Sequence, residues 1–166
     1  MALEIERRFL VSNTSWRELT NPGIQLRQAY LATGHSGWTI RIRISDKNQA
    51  WITLKAPAEK ISSHEFEYPI AIKDAEEIWE LALYRLHKIR YQLNLDSGEW
   101  IVDSFEGDNS PLTIAEVELS SPSQMIEIPP WCGQEITGQT DLSNAALAQN
   151  PLKDWPNSKR RKNGLT

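Results

Sequence analysis

The chain has 166 residues, of which 40% are hydrophobic and 24% charged, and this composition suits one globular domain that can bury a core. Its formal net charge of -4 argues against general affinity for nucleic acids or anionic membranes. The single cysteine, Cys132, excludes an internal disulfide, no apolar run is long enough to cross a bilayer, and charge precedes any apolar run at the N-terminus, so we expect a cytoplasmic protein without a signal peptide.

Alternating apolar and charged residues predict strands along most of the chain. The first strand, Leu3–Val11, places Glu4, Glu6 and Arg8 on one face and apolar side chains on the other. The same alternation predicts further strands at Gln25–Leu31, Trp38–Ile44, Ala50–Lys55, His64–Ile70, His87–Leu95, Trp100–Phe105 and Thr113–Leu119. Short polar turns join most of these strands. About eight strands connected in this way favour an α+β fold, with an antiparallel sheet closed as a β-barrel and a few helices packed outside it.

Helical signals are fewer. Asp74 begins a capping-box pattern, and the apolar spacing that follows predicts a helix over Asp74–Leu83. We also expect a short helix over Ser121–Ile126 and an Ala- and Leu-rich helix over Asp141–Gln149. The helices therefore lie mainly in the second half of the chain.

The C-terminal end has a different composition. From Pro156 onward the sequence is polar, and residues 158–162 form the run Ser-Lys-Arg-Arg-Lys. Such a run is typical of a disordered, solvated tail, and a nucleic-acid-binding arm is the alternative interpretation. We therefore divide the chain into one domain, residues 1–155, and a basic tail, residues 156–166.

The charged faces of the predicted strands point to a function if they all face the barrel interior. The interior would then hold Glu4, Glu6, Glu65, Glu67, Asp103, Glu116 and Glu118, with Arg8, Arg41, Arg43, Lys55, Lys88 and Arg90. Unpaired buried charge costs several kcal/mol, so this interior must be wet, internally paired, or filled by ions and a ligand. Carboxylates suit hard cations such as Mg²⁺ or Mn²⁺, and arginine and lysine suit phosphate. Together they describe a site for a metal-bound polyphosphate.

The opposite arrangement has the charged faces outside and the apolar faces inside an ordinary barrel or sandwich. Periodicity alone cannot decide which face is internal. Pairs of like charge, such as Glu4 with Glu6 and Arg41 with Arg43, recur on separate strands. Because such pairs are mildly unfavourable unless opposite charge lies across from them, their recurrence favours the charged interior.

These residues also resemble a known family. Residues 4–11, Glu-Ile-Glu-Arg-Arg-Phe-Leu-Val, resemble the N-terminal Glu-x-Glu-x-Lys signature of the CYTH domain, the triphosphate tunnel metalloenzyme family. Blocks that match in the family's order are Leu26–Leu31, Arg41–Arg43, Thr53–Lys55, Glu65–Glu67, Lys88–Tyr91, Val102–Phe105 and Glu116–Glu118, with Pro130–Trp131 and Asn144–Ala148 at the C-terminal end.

The resemblance implies an eight-stranded antiparallel tunnel that hydrolyses a triphosphate with Mg²⁺ or Mn²⁺, most similar to the small bacterial inorganic triphosphatases. It implies metal ligation by Glu4, Glu6, Asp103, Glu116 and Glu118, directly or through water. It implies phosphate binding by Arg8, Arg41, Arg43, Lys55 and Arg90. Lys88, paired with Tyr30, would activate the attacking water, and Glu65 and Glu67 would position the basic side chains.

Departures from the family pattern leave alternatives open. The signature lysine is Arg8 here, and the family's Asp-Lys-Arg-Tyr segment is Gln139–Leu142, which lacks two positive charges. A nucleoside triphosphatase or adenylate cyclase of the same fold, or a polyphosphate-binding protein with little turnover, are therefore alternatives to the inorganic triphosphatase. Apolar outer strand faces with few helices to cover them also predict a homodimer.

Overall fold

The computed structural model describes residues 3–34, 37–59 and 61–166. Within these ranges the strands are β1 Leu3–Val11, β2 Ile24–Thr33, β3 Thr39–Ser45, β4 Gln49–Pro57, β5 Ser62–Pro69, β6 Tyr84–Leu95, β7 Gly98–Phe105, β8 Thr113–Glu118 and β9 Cys132–Glu135. The α-helices are α1 Ile72–Leu81, α2 Asn144–Gln149 and α3 Asn157–Lys162. Short 3-10 helices lie at Ser15–Leu19, Gly107–Asn109, Thr140–Leu142 and Leu152–Asp154. None of these described helices is long and apolar enough to cross a membrane.

Strands β1 to β8 close into an antiparallel barrel. The neighbours follow the order β5-β4-β3-β2-β6-β7-β8-β1, and β1 returns to pair with β5. Strand β1 makes both closing contacts, since its residues Leu3–Ile5 pair with β5 and its residues Glu6–Leu10 pair with β8. The predicted eight-stranded antiparallel barrel is confirmed.

Strand β9 is an addition that the sequence analysis missed. It pairs with β1 near Phe9 and Val11, along the edge that β5 leaves free after Ile5. Its sequence, Cys-Gly-Gln-Glu, has no alternation of apolar and polar residues. The strand forms because an unpaired edge of β1 supplies hydrogen-bonding partners, which no local pattern in residues 132–135 reveals.

Apolar side chains form layers on the outer side of the barrel wall. One layer lies between the wall and α1 and includes Ile42 and Trp79. A second contains aromatic rings in contact: the Phe9 and Trp100 rings are tilted with centroids 5.7 Å apart, and the Trp100 and Trp131 rings meet edge to face with centroids 5.7 Å apart. Because these faces are covered from outside, the charged faces of the same strands turn inward. The interpretation of a charged interior is confirmed.

The far end of the barrel is closed by apolar residues rather than by charge. Along β1 the inward face changes from Glu4, Glu6 and Arg8 to Leu10, which packs in a cluster with Leu142 and Leu147 of the C-terminal segment. Helix α2 lies against β6 and β2 at this end. The C-terminal segment therefore forms one end of the interior.

Three helix predictions need correction. The helix predicted over Asp141–Gln149 begins only at Asn144, because Ser143 caps it and a 3-10 turn at Thr140–Leu142 precedes it. Helix α1 begins at Ile72 with Ala71 as its N-cap. Ile72 packs against the apolar cluster that contains Trp79, and the amide of Ala75 donates to the carbonyl of Ala71. Asp74 therefore lies within the first turn and does not cap the helix. Residues 121–126 form a turn instead of a helix. The side chain of Gln124 accepts from the backbone and hydroxyl of Ser120, which competes with helical hydrogen bonds.

The prediction of a disordered C-terminal tail is also wrong. Residues 157–162 form α3, and Asn163 after it is buried. The guanidinium of Arg160 donates to the carbonyl oxygens of Leu152, at 2.6 Å, and Trp155, at 3.3 Å. The ammonium of Lys159 lies 4.3 Å from the centre of the Trp155 ring. Tertiary contacts thus hold a segment whose composition alone favours disorder, while a domain boundary at residue 155 stays a prediction.

We expect Arg160→Ala to lower the free energy of unfolding by about 1.5–3 kcal/mol, since it removes two hydrogen bonds from a charged donor. Arg161→Ala, the same change one residue later on an exposed side chain, should change it by less than about 0.5 kcal/mol. Urea unfolding of both variants measures the difference. Equal effects would show that α3 does not contribute to stability through Arg160.

Candidate active site

Ion pairs in the barrel interior join neighbouring strands and also strands that are not neighbours. The ammonium of Lys55 on β4 binds Glu4 on β1 and lies 3.5 Å from Glu65 on β5. The guanidinium of Arg41 on β3 lies 3.1 Å from Glu67 on β5. Pairs between β4 and β1, or β3 and β5, form only across the concave face of the sheet. They place the side chains of four strands at one site.

A more buried group of charges lies deeper in the barrel. We call Arg8, Lys88, Arg90, Asp103 and Glu116 the buried ion cluster. Asp103, with 0% of its surface exposed, accepts from Lys88 at 2.7 Å and from Arg90 through two bonds of 2.8 Å. Glu116 accepts from Arg8 at 3.0 Å and lies 3.6 Å from Arg90. Each carboxylate in this cluster therefore contacts two cations, and the cluster as a whole holds three cations against two carboxylates.

The pKa values of this interior follow from burial and from incomplete pairing. Burial, reinforced by the cation of Arg90, lowers the pKa of Lys88 to about 7. Burial and the neighbouring Arg41 and Arg90 lower the pKa of Arg43 to about 9. Burial and repulsion from Glu116 raise the pKa of Glu6 to about 7. The interior thus holds a lysine and a glutamate whose pKa values both lie near neutral pH.

A cavity of about 430 Å³ opens beside these charges. Its charged lining consists of Arg8, Arg41, Lys55 and Glu6, which gives three cations against one carboxylate. The opposite wall is formed by residues 137–145 of the C-terminal segment and carries only uncharged side chains in its lining. Three cationic side chains on one space suit an anionic ligand, and each of them also pairs with a carboxylate next to the cavity: Lys55 with Glu4, Arg41 with Glu67 and Arg8 with Glu116.

The remaining predicted site residues have distinct positions. Tyr30 lines the cavity, and its hydroxyl accepts a 2.8 Å bond from the amide of Gln28. Burial raises the pKa of Tyr30 above its ordinary value. Lys88 is 1% exposed and lies outside the cavity lining. Glu118 lies opposite Glu6 across the β1–β8 ladder and is exposed.

Three polar residues of the interior were not among the predicted site residues. Gln28 is fully buried, donates to Tyr30 and accepts from Arg43 at 3.0 Å. Thr53 donates to Glu67 at 2.7 Å, and Asn144 accepts from Lys88 at 3.0 Å. Gln28 could have been found, because it shares the inward face of β2 with Tyr30. Asn144 lies at the start of α2, where no local pattern shows that it faces Lys88.

Three carboxylates of the barrel interior fit a divalent cation. Glu4, Glu6 and Glu116 repel one another, and their repulsion contributes to the raised pKa of Glu6. An added positive charge would relieve that repulsion, and carboxylate oxygens are the ligands that Mg²⁺ and Mn²⁺ prefer. Among the described residues no three acidic, histidine or cysteine side chains form a ready metal cage. The lysine of this site, Lys55, occupies part of the space between the carboxylates.

Most of the chain matches one protein family. The CYTH domain model matches residues 2–147. An inorganic triphosphatase of Acetivibrio thermocellus is 33% identical over 157 residues, which cover 93% of this chain and 99% of the relative. An inorganic triphosphatase of Nitrosomonas europaea is 36% identical over 149 residues, which cover 87% of this chain and 96% of the relative.

Solved structures show the same architecture. A crystal structure of an inorganic triphosphatase superposes with a TM-score of 0.63 at 33% identity, covering 89% of this chain and 95% of the solved one. A plant protein from Hippeastrum, described as a putative adenylyl cyclase with a dominant triphosphatase activity, superposes with a TM-score of 0.55 at 17% identity, covering 72% of this chain and 80% of its own. The second likeness shows the fold alone.

We expect Asp103→Asn to lower the free energy of unfolding by about 3–5 kcal/mol at neutral pH, because Lys88 and Arg90 lose their buried counter-ion. The two cations hold the pKa of Asp103 well below its ordinary value of 3.8. Its stabilising contribution is therefore fully present above pH 3.8 and is lost as the pH falls toward the lower folded-state pKa. The difference between wild type and variant should shrink in that acidic range.

Chemical denaturation in EDTA at neutral and acidic pH measures this difference. Asp108→Asn is the matched control, since Asp108 pairs with Lys153 on the surface at 2.8 Å and should contribute less than about 1 kcal/mol. An Asp103→Asn variant as stable as this control would contradict the role of the buried ion cluster.

Proposed function

The chain belongs to the CYTH domain family, and we propose that it hydrolyses inorganic triphosphate to pyrophosphate and phosphate inside the barrel. The observation that carries this proposal is the convergence of Arg8, Arg41 and Lys55 on one cavity beside Glu6. Three cations in one space match the charge of a short polyphosphate. The two inorganic triphosphatases that align with nearly the whole chain support this substrate over a nucleotide.

The proposed phosphate-binding residues lie at two depths in the barrel. Arg8, Arg41 and Lys55 line the cavity and would contact the phosphate chain directly. Arg43 and Arg90 lie deeper, where Arg43 also donates to Gln28 and Arg90 is committed to Asp103. Forked guanidinium donors stabilise the equatorial oxygens of a transferring phosphoryl group, whose charge spreads over those oxygens during hydrolysis.

Lys88 is the proposed general base; it lies behind Asn144, outside the cavity lining, whereas Tyr30 lines the cavity itself. Burial brings the pKa of Lys88 to about 7, so a substantial fraction is neutral at physiological pH and can accept a proton from water. Its remaining bonds to Asp103 and Asn144 fix the position of its nitrogen. The hydroxyl of Tyr30, held by Gln28, would orient the water or a phosphate oxygen.

Carboxylates of the barrel interior are the proposed metal ligands. CYTH triphosphatases depend in general on a divalent metal. Glu4, Glu6 and Glu116 would hold Mg²⁺ or Mn²⁺, with Glu118 at the mouth, while Asp103 serves first as the counter-ion of Lys88 and Arg90. The bound cation would supply charge neutralisation on the phosphate chain. Glu65 and Glu67 would orient Lys55 and Arg41, as their ion pairs support.

The cellular setting is part of the proposal. We place the protein in the cytoplasm, with a small-molecule triphosphate as its partner. A homodimer through the outer barrel wall is proposed because Phe66 and Tyr68 of β5 expose 39% and 55% of their surface. Size-exclusion chromatography with light scattering tests the dimer directly.

We expect phosphate release from inorganic triphosphate to exceed release from ATP and pyrophosphate, to require Mg²⁺ or Mn²⁺, and to stop in excess EDTA. The double variant Glu4→Gln, Glu6→Gln should lose at least about 100-fold in kcat, since it removes charge that holds the metal. A malachite-green assay of released phosphate makes the comparison.

Glu99→Gln is the control for that double variant, because Glu99 is exposed on β7 and lies outside the cavity. Its activity should equal that of the wild type. Faster release from ATP than from triphosphate would assign the chain to the nucleoside triphosphatases. Tight triphosphate binding without release would indicate a binding protein on the same scaffold.

Arg8→Lys tests whether arginine in the family's lysine position compromises turnover. The guanidinium of Arg8 donates both to Glu116, at 3.0 Å, and to the carbonyl of Leu142, at 3.1 Å. Lysine presents a single point of charge and cannot keep both contacts in this geometry. We therefore expect kcat/KM for triphosphate to fall about 10-fold, and a gain in turnover would show that Arg8 limits the natural protein.

A further inference from the structure

Asn144 stands between the most buried lysine of the barrel and the cavity. Its side-chain oxygen accepts a 3.0 Å bond from the ammonium of Lys88. Asn144 lines the cavity, whereas Lys88 does not. The asparagine therefore presents its other side to the space in which the cations Arg8 and Arg41 converge.

The orientation of this amide follows from the chemistry of its partner. Lys88 Nζ donates both to Asp103 and to Asn144, two bonds that its protonated and its neutral form can each supply, so the atom of Asn144 that faces Lys88 is the oxygen. The amide nitrogen then points away from Lys88. Within residues 3–34, 37–59 and 61–166 no acceptor forms a hydrogen bond with this nitrogen. Asn144 thus offers two N–H groups without a protein partner on the cavity side.

We infer that Asn144 is a substrate-binding residue that donates its side-chain N–H groups to an oxygen of the triphosphate chain. This inference rests on the proposed function, because it needs a phosphate chain in the cavity. Phosphate oxygens are strong hydrogen-bond acceptors, and they match a donor whose orientation is already fixed by Lys88. One amide group thereby links the substrate to Lys88.

The neighbouring residues explain why a neutral donor matters in this chain. Residues 137–145 form one wall of the cavity, and the side chains of Thr137, Gln139, Thr140 and Ser143 in its lining are all uncharged. The side chains of this wall supply no cation of their own, and Arg8 of β1 reaches the segment at the carbonyl of Leu142. The amide of Asn144 supplies a fixed donor there, with a rigid position at the first residue of α2, where Ser143 caps the helix through a 3.1 Å bond from the amide of Ala146.

A purely structural role predicts a different response to mutation. If Asn144 served only to accept from Lys88, then Asn144→Asp would preserve the protein, because aspartate is isosteric and is a stronger acceptor for an ammonium. Asn144→Ala would be the more damaging change. If Asn144 binds substrate, the order reverses, since aspartate removes both donors and places negative charge against the phosphate chain.

The test measures binding of inorganic triphosphate by calorimetry in EDTA, and KM and kcat for triphosphate with Mg²⁺. We expect Asn144→Asp to raise Kd and KM by about 10- to 100-fold, the range of a lost bond to a charged group. Asn144→Ala should raise them about 3- to 10-fold. Neither variant should lower the thermal unfolding midpoint enough to explain the change.

Asn150→Asp is the matched control for charge. Asn150 follows α2, is exposed and lies outside the cavity, so the same substitution there should leave Kd and KM unchanged. Affinity of Asn144→Asp equal to that of Asn150→Asp, or a greater loss in Asn144→Ala than in Asn144→Asp, would overturn the inference. If Asn144→Asp does not fold, wild-type affinity in Asn144→Ala would overturn it instead.

Failure of the proposed function gives a separate result. In that case the wild type itself neither binds nor hydrolyses triphosphate in EDTA or with Mg²⁺, and the assignment of Asn144 falls with it. Wild-type binding or hydrolysis that is unaffected by Asn144→Asp rejects the role of Asn144 alone.

Discussion

The pairing of Asp103 with Lys88 and Arg90 is the interaction on which the barrel interior depends. Asp103, a carboxylate without exposed surface, forms ion pairs with two cations whose burial would otherwise cost several kcal/mol each. Glu116 repeats the arrangement with Arg8 and Arg90. These contacts make a polar interior compatible with a folded barrel and set the geometry of the lysine and arginines around them.

Charge compensation is incomplete both in the depth of the barrel and at the cavity. The buried ion cluster holds three cations and two carboxylates, and the cavity lining has three cations and one carboxylate. The raised pKa of Glu6 and the lowered pKa of Arg43 both follow from burial beside like charges. A folded protein retains such incompletely compensated groups where a ligand or metal will supply the missing charge.

The C-terminal segment contributes both to the packing of the barrel end and to the candidate site. It closes one end of the barrel with Leu142 and Leu147, and two tunnel cations bind it, Arg8 at the carbonyl of Leu142 and Lys88 at Asn144. A substrate bound to Arg8 or Asn144 would therefore lie next to the segment that closes the interior. The placement of α3 beside Trp155 extends this closure to the last residues of the chain.

The amino-acid sequence by itself determined the eight barrel strands and the set of charged residues on one face of each, because strand alternation is local and strongly patterned from Glu4 to Glu118. Tertiary structure decided which face is internal, since period-2 patterning is symmetric between the two faces. It also decided that β9 forms, that residues 157–162 are an ordered helix, and that Asn144 contacts Lys88. Those features depend on a free edge, a nearby carbonyl or a partner 56 residues away, and none of these is encoded in a local pattern.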